Sequence, residues 1–143
     1  DASALSASAQ REMALFYSDQ TNCSNCHSGF NFTNYAFENN GLYEAYNDNG
    51  RFRLTLDSAD LARFKVPSLR NVELTAPYMH DGSMGTLEEV VRHYNDGGAD
   101  HSEKSGLIRP LNLTEDNISD MIEFLHSLTD ATFISNPNLG NGS

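Results

Sequence analysis

Basic residues are scarce in this chain of 143 residues, which has nine lysines and arginines against 20 aspartates and glutamates and a formal net charge of −11. Proteins that bind nucleic acid neutralise its phosphates with Lys and Arg, and anionic membrane surfaces attract basic segments. The composition therefore argues against both kinds of partner. It does permit electrostatic steering toward a basic partner protein.

Long apolar runs are also missing. No stretch of about 18 consecutive apolar residues occurs, so the sequence predicts no membrane-spanning helix. Hydrophobic residues make up 38% of the chain, which is slightly low for a self-sufficient globular domain. We find no alternating pattern typical of strands and no internal repeat. These absences predict an all-α fold, with a few helices and long loops around a large apolar group.

Apolar residues at helical spacing, together with capping signals, mark the helices. A capping box of Thr86 and Glu89 begins one of them, and Thr114 caps the last. The predicted helices cover residues 8–19, 58–64, 86–95 and 115–128. The length fits one domain, which we expect at residues 6–129, between a disordered end at 1–5 and a C-terminal tail at 130–143.

Cysteine is nearly absent: the chain has two, Cys23 and Cys26, and His27 follows directly. The pattern C-x-x-C-H is the attachment motif of c-type haem. Its two thiols add to the two vinyl groups of the porphyrin, and the adjacent imidazole is the usual proximal ligand of the iron. Two other interpretations are a thioredoxin-like redox pair, which usually lies in a βαβ context, and half of a zinc site, which needs more Cys or His. Neither context is visible, so the motif predicts one covalent haem c.

Two further blocks, PSLRN at residues 67–71 and APYMHDG at residues 76–82, accompany the segment CSNCHSGFNFTN at 23–34. With them the chain resembles, over residues 6–129, the C-terminal haem domain of bacterial di-haem cytochrome c peroxidases, and more closely their MauG-type relatives. The resemblance implies an exported, periplasmic protein with two haem domains. The N-terminal haem reacts with peroxide, and the C-terminal haem receives electrons from a small donor protein. Because this chain has one C-x-x-C-H motif, we expect either a fragment that lacks a second haem domain or a mono-haem relative.

The resemblance also implies a distal iron ligand in the helix after APYMHDG. The peroxidases have Met at this position and the MauG-type relatives have Tyr. Here the position holds Tyr94, on the predicted buried face, and we favour it as the sixth ligand. Met84 and Met79, in the preceding loop, are the alternatives, because a thioether can ligate haem iron. His93 is adjacent to Tyr94, but the helix turns it about 100° away.

Loop residues are expected to complete the haem pocket. Arg70 is expected to bind a haem propionate, because a guanidinium suits a carboxylate and a buried propionate needs a partner. Pro67 and Pro77 are expected to set the path of the loop over the haem. Phe32 belongs to an aromatic-rich segment that suits a haem wall, and His80 is expected to be structural.

A calcium ion lies between the domains of the di-haem peroxidases, and two of its ligands are backbone carbonyls. The matching positions here are Thr75 and Pro77, whose carbonyl oxygens are suitable hard ligands. The remaining protein ligand comes from the other domain. The resemblance therefore implies that this chain supplies only part of a calcium site.

The function that the sequence predicts is electron transfer by a single haem c domain, with a small redox protein as partner. The alternative is a peroxide-reactive haem enzyme, which requires an open sixth position on the iron and a nearby group that handles protons. His80 and Glu88 are the candidates for that group. The sequence leaves open whether this chain is an enzyme by itself.

Overall fold

The computed structural model describes residues 7–139. Its helices are α1 (Ala7–Phe16), α2 (Cys23–Cys26), α3 (Phe52–Thr55), α4 (Leu87–Asp96), α5 (Glu115–His126) and α6 (Ala131–Ile134). Its 3-10 turns are Ser58–Asp60, Val72–Leu74 and Pro137–Leu139. Two short strands, β1 (Phe37–Glu38) and β2 (Phe64–Lys65), pair with each other. Long loops join these elements, so the predicted class of a mostly helical domain with long loops is confirmed.

Each of the two long helices α4 and α5 begins with a capping box. The Thr86 hydroxyl accepts from the backbone N–H of Glu89, and the Glu89 carboxylate accepts from the backbone N–H of Thr86. Thr114 and Asn117 make the same reciprocal pair. After α4 the chain turns at Gly97, whose φ of 84° glycine adopts at little cost. Both helices therefore lie where the sequence predicts them, to within two residues at their ends.

Helix α5 is central to the fold, because it packs against both α1 and α4. Three rings join it to the rest of the chain: Phe16 from α1, Phe32 from the loop after α2, and Phe124 from α5 itself. The ring of Phe124 lies 5.1 Å from that of Phe16 and 6.3 Å from that of Phe32, between centroids. This aromatic cluster ties the first long helix, the loop after the motif and the last long helix into one core.

The two strands correct the expectation that the chain has none. Phe37 pairs with Lys65, and Glu38 pairs with Phe64. A strand of two residues is too short to show an alternating pattern in the sequence. The pairing is a tertiary contact between two loops, and it brings β2 to the edge of the cavity described below.

The helix predicted over residues 58–64 is also wrong for most of its length. Only Ser58–Asp60 forms a 3-10 turn. Leu61 is extended, and Ala62 has a φ of 53°, which no right-handed helix accommodates. Ala62 is fully buried, so packing has overridden the local preference of this segment for a helix.

At the ends of the chain, the disorder predicted for residues 1–5 lies outside the described residues. In the predicted tail, α6 begins after Asp130, whose carboxylate accepts hydrogen bonds from the backbone N–H groups of Thr132 and Phe133. Residues 140–143 again lie outside the described part. Between residues 7 and 139, no helix has the length and apolar character needed to cross a membrane.

Replacing Phe124 with alanine is expected to lower the free energy of unfolding by about 3–5 kcal/mol, because a large core side chain is removed. Phe124 is 2% exposed, whereas Phe133 is 56% exposed. Phe133→Ala is therefore the matched control and should change stability by only about 0.5 kcal/mol. Urea unfolding followed by circular dichroism measures both variants. Equal losses in the two would contradict the central position of the aromatic cluster.

Candidate haem site

The C-x-x-C-H segment forms one helical turn. The backbone N–H of His27 donates to the carbonyl oxygen of Cys23 at 2.8 Å, and Cys23 and Cys26 lie three residues apart on one side of the turn. The two thiols are not joined in a disulfide. Burial, followed by the charges of Glu38 and Cys23, raises the pKa of the Cys26 thiol to about 11. A thiol with a raised pKa stays protonated near neutral pH.

The imidazole of His27 is held in one orientation by backbone. Its Nδ1 lies 3.0 Å from the carbonyl oxygen of Phe32. A carbonyl oxygen can only accept, so Nδ1 carries the hydrogen and Nε2 keeps its lone pair in the neutral ring. Burial lowers the pKa of His27, against the opposing effect of the Phe32 and Pro67 carbonyls. A neutral imidazole whose Nδ1–H is held by a carbonyl is the usual state of a metal-ligating histidine.

One cavity of about 360 Å³ brings the motif and two of the distal candidates together, since it is lined by Cys23, Cys26, His27, Met79 and Tyr94. Much of its remaining wall is apolar, including Val66, Leu69, Val90, Val91, Met121 and Leu125. Two thiols on one turn, a neutral imidazole and apolar walls are the donor set and the environment that a covalent haem c requires. The residues present therefore fit this cofactor.

Tyr94 and Met79 share a polar neighbour in the cavity wall. The side-chain amide nitrogen of Asn40 lies 3.3 Å from the hydroxyl oxygen of Tyr94 and 3.3 Å from the sulfur of Met79. Burial raises the pKa of the Tyr94 hydroxyl, and the hydrogen bond from Asn40 opposes this rise. Both of these candidate ligands thus meet the same donor.

The other two residues considered for the distal position are engaged elsewhere. Met84 pairs with Tyr78 through backbone hydrogen bonds and does not line the cavity. His93 donates from Nε2 to the backbone carbonyl of Asn40 at 3.0 Å, so its imidazole is turned to the loop rather than to the cavity. This agrees with the rotation expected between neighbours in a helix.

The predicted pocket residues divide into two groups. Pro67 lines the cavity, whereas Arg70 and Phe32 do not. Arg70 donates to the carbonyl oxygen of Phe30 at 3.2 Å, and its guanidinium lies 4.3 Å from the centroid of the Phe30 ring. The ring of Phe32 belongs to the aromatic cluster, and it is the carbonyl of Phe32 that reaches the site.

The sequence did not predict several polar residues of the cavity wall, among them Asn40, Lys65 and Arg109. Arg109 donates to the carbonyl oxygen of Asp19 at 2.8 Å, and Lys65 donates to that of Val66 at 3.2 Å. None of the three belongs to the quoted blocks. Only the pairing of β1 with β2 and the fold of the loop before α5 bring the two basic residues to the cavity.

The loop that carries Met79 and His80 is held in place by a hydrogen bond to the next residue, Asp81. The hydroxyl of Tyr43 donates to the Asp81 carboxylate at 2.6 Å, and this bond is the main reason that the pKa of Asp81 is lowered to about 2. His80 lines the cavity and stacks on Phe64 with 3.8 Å between ring centroids. The loop is thereby held against the cavity from two sides.

The calcium prediction concerns an exposed part of the fold. Thr75 and Pro77 lie in the loop after the Val72–Leu74 turn. Within residues 7–139 no three His, Cys, Asp or Glu side chains are grouped so that they could hold a metal ion. Calcium binding through the carbonyls of Thr75 and Pro77 stays a prediction.

Comparison with known proteins agrees with this geometry. The chain is 40% identical over 130 residues to the methylamine utilization protein MauG of Methylorubrum extorquens, covering 90% of this chain and 36% of that protein. It is 35% identical over 159 residues to the cytochrome-c peroxidase IdrP1 of Denitromonas iodatirespirans, covering 90% of this chain and 42% of that protein. No protein-family model matches the chain.

A solved structure supports the same relationship. The crystal structure of a MauG-like protein associated with microbial copper homeostasis matches with a TM-score of 0.87 and 35% identity, over 93% of this chain and 50% of that one. The chain therefore spans half or less of the length of the relatives it matches here.

The variant Tyr43→Phe is expected to raise the pKa of Asp81 from about 2 toward its ordinary value of 3.8, because the hydroxyl that donates to the carboxylate is removed. In the native chain, a lowered carboxyl pKa stabilises the fold above pH 3.8, and this contribution is lost as the pH falls toward about 2. The variant should lose less stability over that range. Titration of the Asp81 carboxyl carbon by NMR measures the pKa, with Tyr35→Phe as control. An unchanged value would contradict the bond.

Proposed function

We propose that this chain, which belongs to the di-haem cytochrome c peroxidase and MauG family, is an electron-transfer domain that carries one haem c. The observation that carries the proposal is the single cavity lined by Cys23, Cys26, His27 and Tyr94. The chain spans half or less of the relatives named above. For that reason the proposal concerns the haem domain itself and does not extend to the activity of those larger proteins.

In this proposal Cys23 and Cys26 attach the porphyrin, and His27 ligates the iron through Nε2. The carbonyl of Phe32 orients the imidazole by accepting from Nδ1. The haem supplies a one-electron couple when it is bound, and the apolar wall lowers the local dielectric around it. Lys65 and Arg109, which line the cavity, bind the propionates in this proposal, a role predicted from the sequence for Arg70.

Tyr94 is the distal ligand that we favour. It lines the cavity and receives a hydrogen bond from Asn40, which supports an oxygen ligand at this position. Met79 also lines the cavity and is the remaining thioether alternative. A phenolate stabilises ferric iron and lowers the reduction potential, whereas a thioether raises it.

The partners follow from the charge and from the family. We propose a small redox protein, basic in charge, because the net charge of −11 attracts cations. A second haem domain is the other proposed neighbour, since the relatives are two to three times as long as the matched region. We also propose an exported, periplasmic location, as in other bacterial members of the family.

A peroxide-reactive haem is the second candidate, and it is favoured by one observation. His80 lines the cavity, where an imidazole could exchange protons with a small oxidant. Glu88, the other residue considered for this role, instead forms an ion pair with Arg92 at 2.9 Å and is exposed. An enzymatic role therefore depends on His80 and on a sixth position that Tyr94 leaves open.

Cys26→Ala is expected to abolish the attachment of haem through two thioether bonds, because one of the two thiols is removed. The chain is to be expressed with haem-maturation machinery, and the haem that stays with denatured protein is to be measured by mass spectrometry and pyridine haemochrome spectra. Ser24→Ala, inside the same turn, is the control and should keep both bonds. Full attachment in Cys26→Ala would exclude the C-x-x-C-H assignment.

Tyr94→Phe is expected to remove the oxygen ligand and to raise the reduction potential of the haem, because a neutral ring cannot stabilise ferric iron. Optical and EPR spectra of the ferric form, with a redox titration, measure the change. Tyr78→Phe is the matched control, since Tyr78 also lines the cavity but its hydroxyl donates to the carbonyl of Val72. If both variants keep the native spectrum, the Tyr94 assignment is wrong. A high-spin native spectrum that changes with peroxide would support the enzymatic alternative.

A further inference from the structure

The side chain of Asn40 contacts both candidate distal ligands, the phenol of Tyr94 and the thioether of Met79. Its amide nitrogen is 3.3 Å from the oxygen of Tyr94 and 3.3 Å from the sulfur of Met79. All three side chains line the same cavity. The amide nitrogen carries two hydrogens, so it is placed where it can donate to both side chains.

The backbone of Asn40 is fixed to the helix that carries Tyr94. Nε2 of His93 donates to the Asn40 carbonyl oxygen at 3.0 Å, and the N–H of Ala99 donates to the carbonyl oxygen of Gly41 at 2.7 Å. A Cβ atom at Gly98 would approach the Asn40 oxygen to 2.9 Å, so glycine allows this close contact. The backbone of Asn40 is thus held against α4 and the turn that follows it.

Met79 approaches the same amide from a separate loop. Its backbone has a φ of 72°, and the loop is fastened through the bond between Tyr43 and Asp81. The arrangement is therefore asymmetric: the Asn40–Tyr94 pair joins helix α4 to the loop after β1, whereas the Asn40–Met79 pair joins two loops. A contact to a helix is kept more easily than a contact between two loops.

The chemistry of the two acceptors adds to this asymmetry. A phenolate oxygen accepts a charge-assisted hydrogen bond, which is about twice as strong as a neutral one. A thioether sulfur is only a weak acceptor. We propose that Asn40 is a positioning residue that directs the sixth coordination position of the haem to the oxygen of Tyr94 instead of the sulfur of Met79. This inference rests on the proposed haem site.

The test uses the haem-loaded chain and the variant Asn40→Leu, which has a similar size and no donor. Loss of a hydrogen bond to a charged oxygen should lower the ratio of oxygen-ligated to sulfur-ligated ferric haem roughly 10-fold. The sulfur-to-iron charge-transfer band in the near infrared should appear, and the reduction potential should rise. Adding Met79→Leu to Asn40→Leu should remove that band, because the replacing ligand is then missing.

Two further variants keep the test decisive. Asn40→Asp preserves the shape of the side chain but replaces the donor with an acceptor, so it should shift the spectrum in the same direction even if leucine is poorly tolerated. Asn47→Leu changes an exposed asparagine of the same stretch and should leave the spectrum and potential as they are. Thermal unfolding of each variant separates a change of ligand from a general loss of structure.

The outcomes distinguish this inference from the proposed function. If Tyr94→Phe changes the spectrum of the haem-loaded chain but neither Asn40 variant does, the role of Asn40 is refuted and the haem site stands. If Tyr94→Phe leaves the native spectrum unchanged, Tyr94 is not the ligand, and the role of Asn40 falls with it. A sulfur band that appears in both Asn40 variants and disappears with Met79→Leu establishes the inference.

Discussion

The hydrogen bond between Nδ1 of His27 and the carbonyl oxygen of Phe32 is the interaction on which the candidate site depends. It joins the aromatic cluster of the core to the predicted proximal ligand. The ring of Phe32 packs against both Phe16 and Phe124, and its carbonyl accepts from Nδ1 of His27. Phe32 has a φ of 49°, a conformation that is uncommon for a large side chain. The ring and the carbonyl are both engaged, and the surrounding packing therefore maintains this geometry.

The side of the cavity that carries Tyr94 is held together mainly by hydrogen bonds, in contrast to the aromatic packing around Phe32. It consists of one helix, α4, and two loops that are held by hydrogen bonds between side chains and backbone, such as that of His93 to Asn40. The cavity residues come from parts of the chain as distant as Phe16 and Met121. A group bonded to Cys23 and Cys26 and contacting Tyr94 would link these parts, so cofactor binding and folding stability should be coupled.

Local signals in the sequence predict a large part of this arrangement. The capping boxes at Thr86 and Thr114 and the apolar spacing after them give α4 and α5 almost residue by residue. The C-x-x-C-H motif predicts the proximal side of the candidate haem site, because its residues are adjacent in the chain. Tyr94 is predicted only by the resemblance to the family, and in the structure it lines the cavity.

The features that the sequence does not reveal depend on contacts between residues that are distant in the chain. The β1–β2 pair brings Lys65 to the cavity, and residues of a single strand of this length carry no pattern. Asn40 is one asparagine in a segment rich in them, and only its distances to Tyr94 and Met79 distinguish it. Arg70 fits a propionate by chemistry alone, whereas the loop turns it onto Phe30. The type of a side chain suggests which ligand it could bind, but the path of the loop determines whether it reaches the cavity.

The neighbours His93 and Tyr94 perform separate tasks on one turn of α4: the first holds the loop through Asn40, and the second lines the cavity. Each added or deleted residue in a helix rotates everything beyond it by about 100°. A length change between the Thr86 cap and Tyr94 would therefore misplace both side chains at once. Homologous chains should vary in length at exposed loops such as the one after α3, where Leu56 is 76% exposed, and keep the stretch from cap to tyrosine at constant length.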